Sequence, residues 1–218
     1  MSSAASIQAV IFDMDGVLAD SEPIYHLSIN QVLASHGHQL SHEANKAILG
    51  TTVEYTWRWI IEHLNLKGSM ESWIARYDAA VVKNLKEQVV PSPGVYELLE
   101  DMRDRGLSLG LASSSQENWV EAVLAALGIQ GQFDVVVSGE MVTKGKPDPE
   151  IFLLTAKRLA VEPARCLVIE DSPHGIRAAK RAGMVVVALR TPLTEDLDLS
   201  QADRLIDSLT QFDYKLLG

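Results

Sequence analysis

The sequence predicts an α/β fold: a doubly wound parallel sheet whose chain is interrupted by an all-α insert. Three observations carry that prediction. Short β-branched runs recur with helical patterns between them, the alternation expected of right-handed βαβ units. The runs are almost continuously apolar, as strands of a sheet covered on both faces must be. Between residues 20 and 89 the alternation stops and only helical patterns remain.

In chain order, the first strand is "IQAVIF" (Ile7–Phe12). After the insert come "LSLGLA" (Leu107–Ala112), "DVVVS" (Asp134–Ser138), "CLVIE" (Cys166–Glu170) and "MVVVAL" (Met184–Leu189). The helices between them are "GVYELLEDMRDRG", "QENWVEAVLAALG", "PEIFLLTAKRLA" and "GIRAAKRAG". Inside the insert, "YHLSINQVLASHG" stops at Gly37. "TVEYTWRWIIEHLNL" carries an aromatic and aliphatic stripe, and "MESWIARYDAAVVKNLKEQ" follows. The turn chemistry of "VVPSPG" (Val89–Gly94) marks the return to the sheet. We therefore expect a core domain of residues 1–19 and 90–218, and a helical domain of residues 20–89. Residues 19–21 and 89–94, the two crossings between them, are expected to act as hinges.

Composition bounds the function. The chain has 218 residues, 47% hydrophobic and 22% charged, the balance of a globular protein with a sizeable core. A net charge of −10 argues against nucleic acid as a partner, because phosphate backbones demand a basic surface. A small phosphorylated ligand remains open, since a local cation reverses the field inside one pocket. Cys166 is the single cysteine, so no intramolecular disulfide forms. No apolar run is long enough to span a bilayer, and "MSSAASIQAV" has no signal-peptide pattern. We expect a cytoplasmic monomer with no membrane partner.

In an open α/β sheet, ligands sit at the carboxyl ends of the strands. The first strand ends in Asp13-Met14-Asp15-Gly16, the second in Ala112-Ser113-Ser114-Ser115. After the third comes Lys144-Gly145-Lys146-Pro147-Asp148-Pro149, and the fourth ends in Glu170-Asp171-Ser172-Pro173. These residue types suit one task. Asp13 can hold Mg²⁺ through one oxygen and attack phosphorus with the other, giving an aspartyl-phosphate. Asp15 can serve as general acid for the leaving oxygen, then as base for water. Ser113 and the amides after it would hold phosphoryl oxygens, and Lys146 would offset their charge. Glu170 and Asp171 add oxygen ligands for a hard cation.

In order, "DMDGVL", "LASSS", "KGKPDP" and "VIEDSPHGIRAAKRAG" resemble the four motifs of the haloacid dehalogenase (HAD) superfamily. The insert resembles the cap of its β-phosphoglucomutase-like and phosphoglycolate-phosphatase-like branch. The resemblance implies a HAD-like, Rossmann-type core with a helical cap, and a Mg²⁺-dependent phosphatase acting on a small phosphorylated metabolite, a sugar phosphate first. It implies Asp13 as nucleophile, Asp15 as acid and base, and Gly16, Ser113, Ser114 and Lys146 around the phosphate. The metal would lie among Asp13, Asp15 through its carbonyl, Glu170 and Asp171, and His26 matches a cap histidine that assists catalysis. Asp15 argues against dehalogenation, whose enzymes lack it. The mutases carry a cap arginine where this chain has Val53, in "GTTVE", with Glu54 following and Arg58 a turn beyond. Hydrolysis is therefore the expectation, with sugar phosphomutase as the alternative and a non-catalytic metabolite sensor a third.

Plainer readings stand beside these. Lys144 is the solvated counterpart of Lys146, and Ser114 and Ser115 also serve as turn formers. His26 reads equally as a surface helix histidine. Trp57, Trp59, Ile60 and Ile61 read as core of the insert. His36, His38 and His42 lack the partners of a metal site and read as a solvated loop. "DSPHG" reads structurally as well, with Ser172 as N-cap, Pro173 at N1 and Gly183 as the stop.

Overall fold

A computed structural model describes residues 6–41, Ala44, Ile48 and residues 52–218. The chain divides into two compact units. One holds the described residues up to Asp20 together with Val90–Gly218, and the other the described residues of Ser21–Val89.

The first unit is the α/β core. Its strands are β1 (Ala9–Phe12), β2 (Ala19–Asp20), β3 (Val90–Pro91), β4 (Ser108–Ala112), β5 (Val135–Val137), β6 (Cys166–Glu170), β7 (Val185–Leu189) and β8 (Arg204–Ile206). Six of them form one parallel sheet in the order β5-β4-β1-β6-β7-β8. β1 is central, pairing Ala9–Phe12 with Ser108–Leu111 on one side and with Cys166–Ile169 on the other. The strand order reverses at β1, so the carboxyl ends of β4, β1 and β6 lie side by side where such sheets bind ligands. β2 and β3 pair antiparallel as a separate two-stranded ribbon.

Apolar strand residues dictate the layers. Ala9, Ile11, Val168, Val186 and Ala188 form one buried cluster with Phe152 and Ala156 of a helix at Glu150–Leu159 and Ile176 of a helix at Pro173–Arg181. By the two-residue strand period, Val10 and Phe12 face the opposite layer, where Phe12 meets Phe133 edge-on at 6.0 Å. The remaining core helices are Val95–Asp104 and Glu117–Leu127. Ser172 caps Pro173–Arg181 by accepting from the Gly175 N–H, and Gly183 follows with a positive φ of 78°, as the sequence predicts. β6 matches its apolar run residue for residue, and the other four predicted strands are one or two residues shorter than theirs, where pairing gives out. β8 is not legible in the sequence: three residues, an arginine first, exposed except at Ile206.

The second unit contains helices α1 (Glu22–Ala34), α2 (Val53–Leu64) and α3 (Met70–Gln88). We number the core helices after them: α4 (Val95–Asp104), α5 (Glu117–Leu127), α6 (Glu150–Leu159) and α7 (Pro173–Arg181). Trp57 is fully buried and stacks on Trp73 with centroids 5.8 Å apart, and Ile60 is buried with it. Asn84 of α3 donates to Ser28 Oγ and Gln31 Oε1 of α1 at 2.9 Å each, a polar clasp inside the helix pair. His36 packs its ring edge-on to Trp73 at 4.6 Å, so it belongs to this aromatic group. His42, Gly50 and Thr51 lie outside the described residues. Among the described residues, no helix is long and apolar enough to cross a membrane.

Candidate active site

Asp13 follows β1 directly, and its amide still donates to Ile169 O at 2.9 Å, so its placement is fixed by the sheet. The side chain is nearly inaccessible, as are those of Glu170 and Lys146. Lys146 has three ammonium protons and three acceptors: Asp13 Oδ1 at 2.6 Å, Glu170 Oε1 at 2.8 Å and the Ala112 carbonyl at 3.2 Å. One cation thus ties together the ends of β1, β4 and β6. Lys144, by contrast, is largely exposed, so the lysine that reaches the strand ends is Lys146. The loop holding it is braced by Glu150, whose carboxylate accepts from the Thr143 and Lys144 amides at 2.9 and 3.0 Å.

Glu170 sits at the end of β6 with its second oxygen accepting from the Ser172 amide (2.7 Å) and hydroxyl (3.0 Å). The carboxylate occupies the space over Gly175, where an added Cβ would lie 1.6 Å from Oε1. Gly16 does the same for Asp171: an added Cβ would lie 2.0 Å from Oδ2, and the residue has a φ of +77°. The Gly16 amide donates to Ala19 O at 2.8 Å, so this glycine's contribution is clearance for Asp171 and the tight turn.

Asp13, Glu170 and Asp171 bring carboxylate oxygens within 4.8 Å of one another. Burial pushes the Asp13 carboxyl up to about 7, with Glu170 and Asp15 adding to the rise and Lys146 opposing it. Burial likewise raises Asp171 to about 9, helped by Glu170 and Asp13. Burial alone would lower Lys146, but the Asp13 and Glu170 carboxylates outweigh it and hold the ammonium well above the usual lysine range. One lysine is too little cation for this cluster. The donor set is all hard oxygen, which fits Mg²⁺ or a similar ion. Both oxygens of Glu170 already accept protein donors, so Asp13 and Asp171 are the carboxylates best placed to ligate one, with Glu170 in support.

Ser113 is fully buried at the end of β4, its amide donating to Val137 O and its Oγ accepting from the Ser115 amide at 3.0 Å. Ser114 is exposed, with its carbonyl against Gly139, where an added Cβ would lie 2.3 Å away. Ser115, readable from sequence as a turn former, donates its hydroxyl to Asp15 Oδ2 at 2.7 Å. Asp15 turns its carboxylate to that serine, leaving Asp13, Glu170 and Asp171 as the close acidic group. His26 belongs to the helical unit, half-buried on α1, with its carbonyl accepting from Asn30 Nδ2 at 3.1 Å.

The sequence profile of the haloacid dehalogenase-like hydrolases matches residues 10–189. The chain is 38% identical over 178 residues to the phosphorylated carbohydrates phosphatase of Thermotoga maritima, covering 82% of each. It is 33% identical to hexitol phosphatase B of Escherichia coli over the full length of both. The crystal structure of β-phosphoglucomutase from Clostridium difficile superimposes with a TM-score of 0.78 at 28% identity, covering 96% of this chain and 94% of that one. The chain belongs to the haloacid dehalogenase-like hydrolase family, in the branch that holds these phosphatases and the β-phosphoglucomutase.

Proposed function

We propose that the protein is a phosphoric monoester hydrolase, a Mg²⁺-dependent phosphatase acting on a small phosphorylated metabolite through an aspartyl-phosphate on Asp13. The observation that carries this reading is the Lys146 ammonium held between Asp13 and Glu170 at 2.6 and 2.8 Å, with Asp171 in the same group. A phosphoryl group arriving there meets a nucleophile and a cation already aligned. Sugar phosphates are the substrate class, because the Thermotoga and Escherichia relatives are named for phosphorylated carbohydrates and hexitols.

Bound Mg²⁺, held by Asp13 and Asp171 with Glu170 in support, would offset negative charge on the phosphoryl oxygens and on the crowded carboxylates. The chain's own residues do the rest. A carboxylate oxygen of Asp13 bonds to phosphorus as the ester P–O bond breaks, and Asp15 gives its proton to the departing sugar oxygen. Asp15, now ionised, takes a proton from the water that attacks the aspartyl-phosphate. The P–O bond to Asp13 then breaks, phosphate leaves, and Asp15 is again protonated. The Ser113 hydroxyl and Lys146 hold the phosphoryl oxygens throughout. The net charge of −10 gives a nucleic-acid backbone little to bind, which leaves a small molecule as partner.

The test is a panel assay with Mg²⁺ against hexose and hexitol phosphates, phosphoglycolate and both anomers of glucose 1-phosphate, following phosphate release and isomer conversion together. Release that disappears in Asp13→Asn supports the reading. Conversion to glucose 6-phosphate with little release would make the protein a mutase, and inactivity in both readouts would revive the sensor reading.

A further inference from the structure

We propose that Ser115 is a positioning residue for Asp15: its hydroxyl fixes the carboxylate that exchanges protons with the leaving group. The inference rests on the reading of Asp15 as acid and base given above. The backbone of Asp15 is set by its turn, where Gly16 donates to Ala19 O and both Leu18 and Ala19 donate to Met14 O. Ser115 Oγ donates to the Asp15 carboxylate at Oδ2, 2.7 Å away, and so holds the side chain where this turn places it.

The donor is itself preorganised. The Ser115 amide donates to Ser113 Oγ at 3.0 Å, and the Ser115 carbonyl accepts from the Gly139 amide at 3.0 Å. Gly139 has no Cβ to push this turn away, since one would lie 2.3 Å from the Ser114 carbonyl oxygen. The turn after β4 therefore couples Ser113, which receives the phosphoryl group, to Asp15, which protonates the oxygen leaving it. When Asp15 gives up its proton, the negative charge that forms is met by a donor already in place.

The test compares two esters by kcat/KM, which covers only the steps up to departure of the leaving group. A hexose phosphate releases an alkoxide that needs the proton, whereas 4-nitrophenyl phosphate releases a phenolate that does not. Ser115→Ala is expected to lower kcat/KM on the hexose phosphate about tenfold to a hundredfold, the loss expected when a catalytic group is misplaced. On 4-nitrophenyl phosphate it should change less than about threefold, and Ser115→Thr, which keeps the hydroxyl, should recover most of the difference. Asp15→Asn should show the same asymmetry, more strongly. An equal loss on both esters, or no loss on either, would overturn the positioning role. Turnover of neither ester by the unaltered enzyme would sink the phosphatase reading and this inference with it, whereas a symmetric Ser115→Ala effect beside an asymmetric Asp15→Asn effect would sink this inference alone.

Discussion

Replacing Gly175 by alanine should destabilise the protein, although the same change in an ordinary helix interior stabilises by about 0.5–1 kcal/mol. Gly175 lies in the first turn of α7, and the new Cβ would sit 1.6 Å from Glu170 Oε1 and 1.9 Å from Cδ. No real contact is that short, so the carboxylate must move. It accepts from Lys146 Nζ, the Ser172 amide and the Ser172 hydroxyl at 2.8, 2.7 and 3.0 Å, and it is 1% exposed. Disrupting a buried ion pair costs about 3–5 kcal/mol, and hydrogen bonds to a charge about 1.5–3 kcal/mol each. After subtracting the helix gain, Gly175→Ala should cost about 2–4 kcal/mol. For a chain of this length that is a fall in Tm of about 5–15 °C. Urea denaturation beside thermal unfolding reads the effect. In a Glu170→Ala background the obstacle is gone, and the same glycine change should become neutral or stabilising. If Gly175→Ala stabilises the unaltered protein, the Glu170 carboxylate is not held over this glycine, and the packing argument fails.

Other consequences follow from the same cluster. Asp13 and Asp171 hold their protons more tightly folded than unfolded, so their contribution is fully present below about pH 4 and is lost as pH rises through about 7 and then 9. The metal-free protein should lose stability across that window, and Mg²⁺ should flatten the profile. At a hundredfold excess over Kd the ion should add about 2.7 kcal/mol, or about 5–10 °C in Tm at neutral pH, and an unchanged Tm would count against the metal site. Gly16→Ala would place a Cβ 2.0 Å from Asp171 Oδ2 at a φ of +77°, so Mg²⁺ affinity by calorimetry should fall at least about tenfold, and undiminished affinity would remove Asp171 from the site. Lys146→Met leaves Asp13 and Glu170 buried without their cation. It should cost about 3–5 kcal/mol at pH 8, partly recovered at pH 5 as Asp13 protonates, and equal losses at both pH values would refute the pairing.

How far the sequence speaks for itself differs by residue. β1, β4, β6 and β7 are readable because burial on both faces makes them continuous apolar runs, and their ends carry Asp13, Ser113 and Glu170. Ser172, Pro173 and Gly183 are readable because capping is local chemistry. Lys146 and Lys144 are two residues apart in one polar loop; the motif points to Lys146, and the fold supplies the contact itself, to Asp13, 133 positions earlier. The bond from Ser115 to Asp15 joins residues 100 apart and exists because β4 lies beside β1. Gly16 and Gly175 invite explanation as a turn former and a helix residue, while the clearance each gives to a carboxylate is a matter of three-dimensional packing. β8 is too short and polar to signal itself.

The most direct test of the account is chemical capture of the group on Asp13. The enzyme is quenched in acid during turnover of a hexose phosphate with Mg²⁺ present, digested, and mapped by mass spectrometry. A phosphoryl group is expected on the peptide containing Asp13, absent in Asp13→Asn, with phosphate release lost in that variant. Steady phosphate release by Asp13→Asn, or phosphorylation at a different residue, would contradict it.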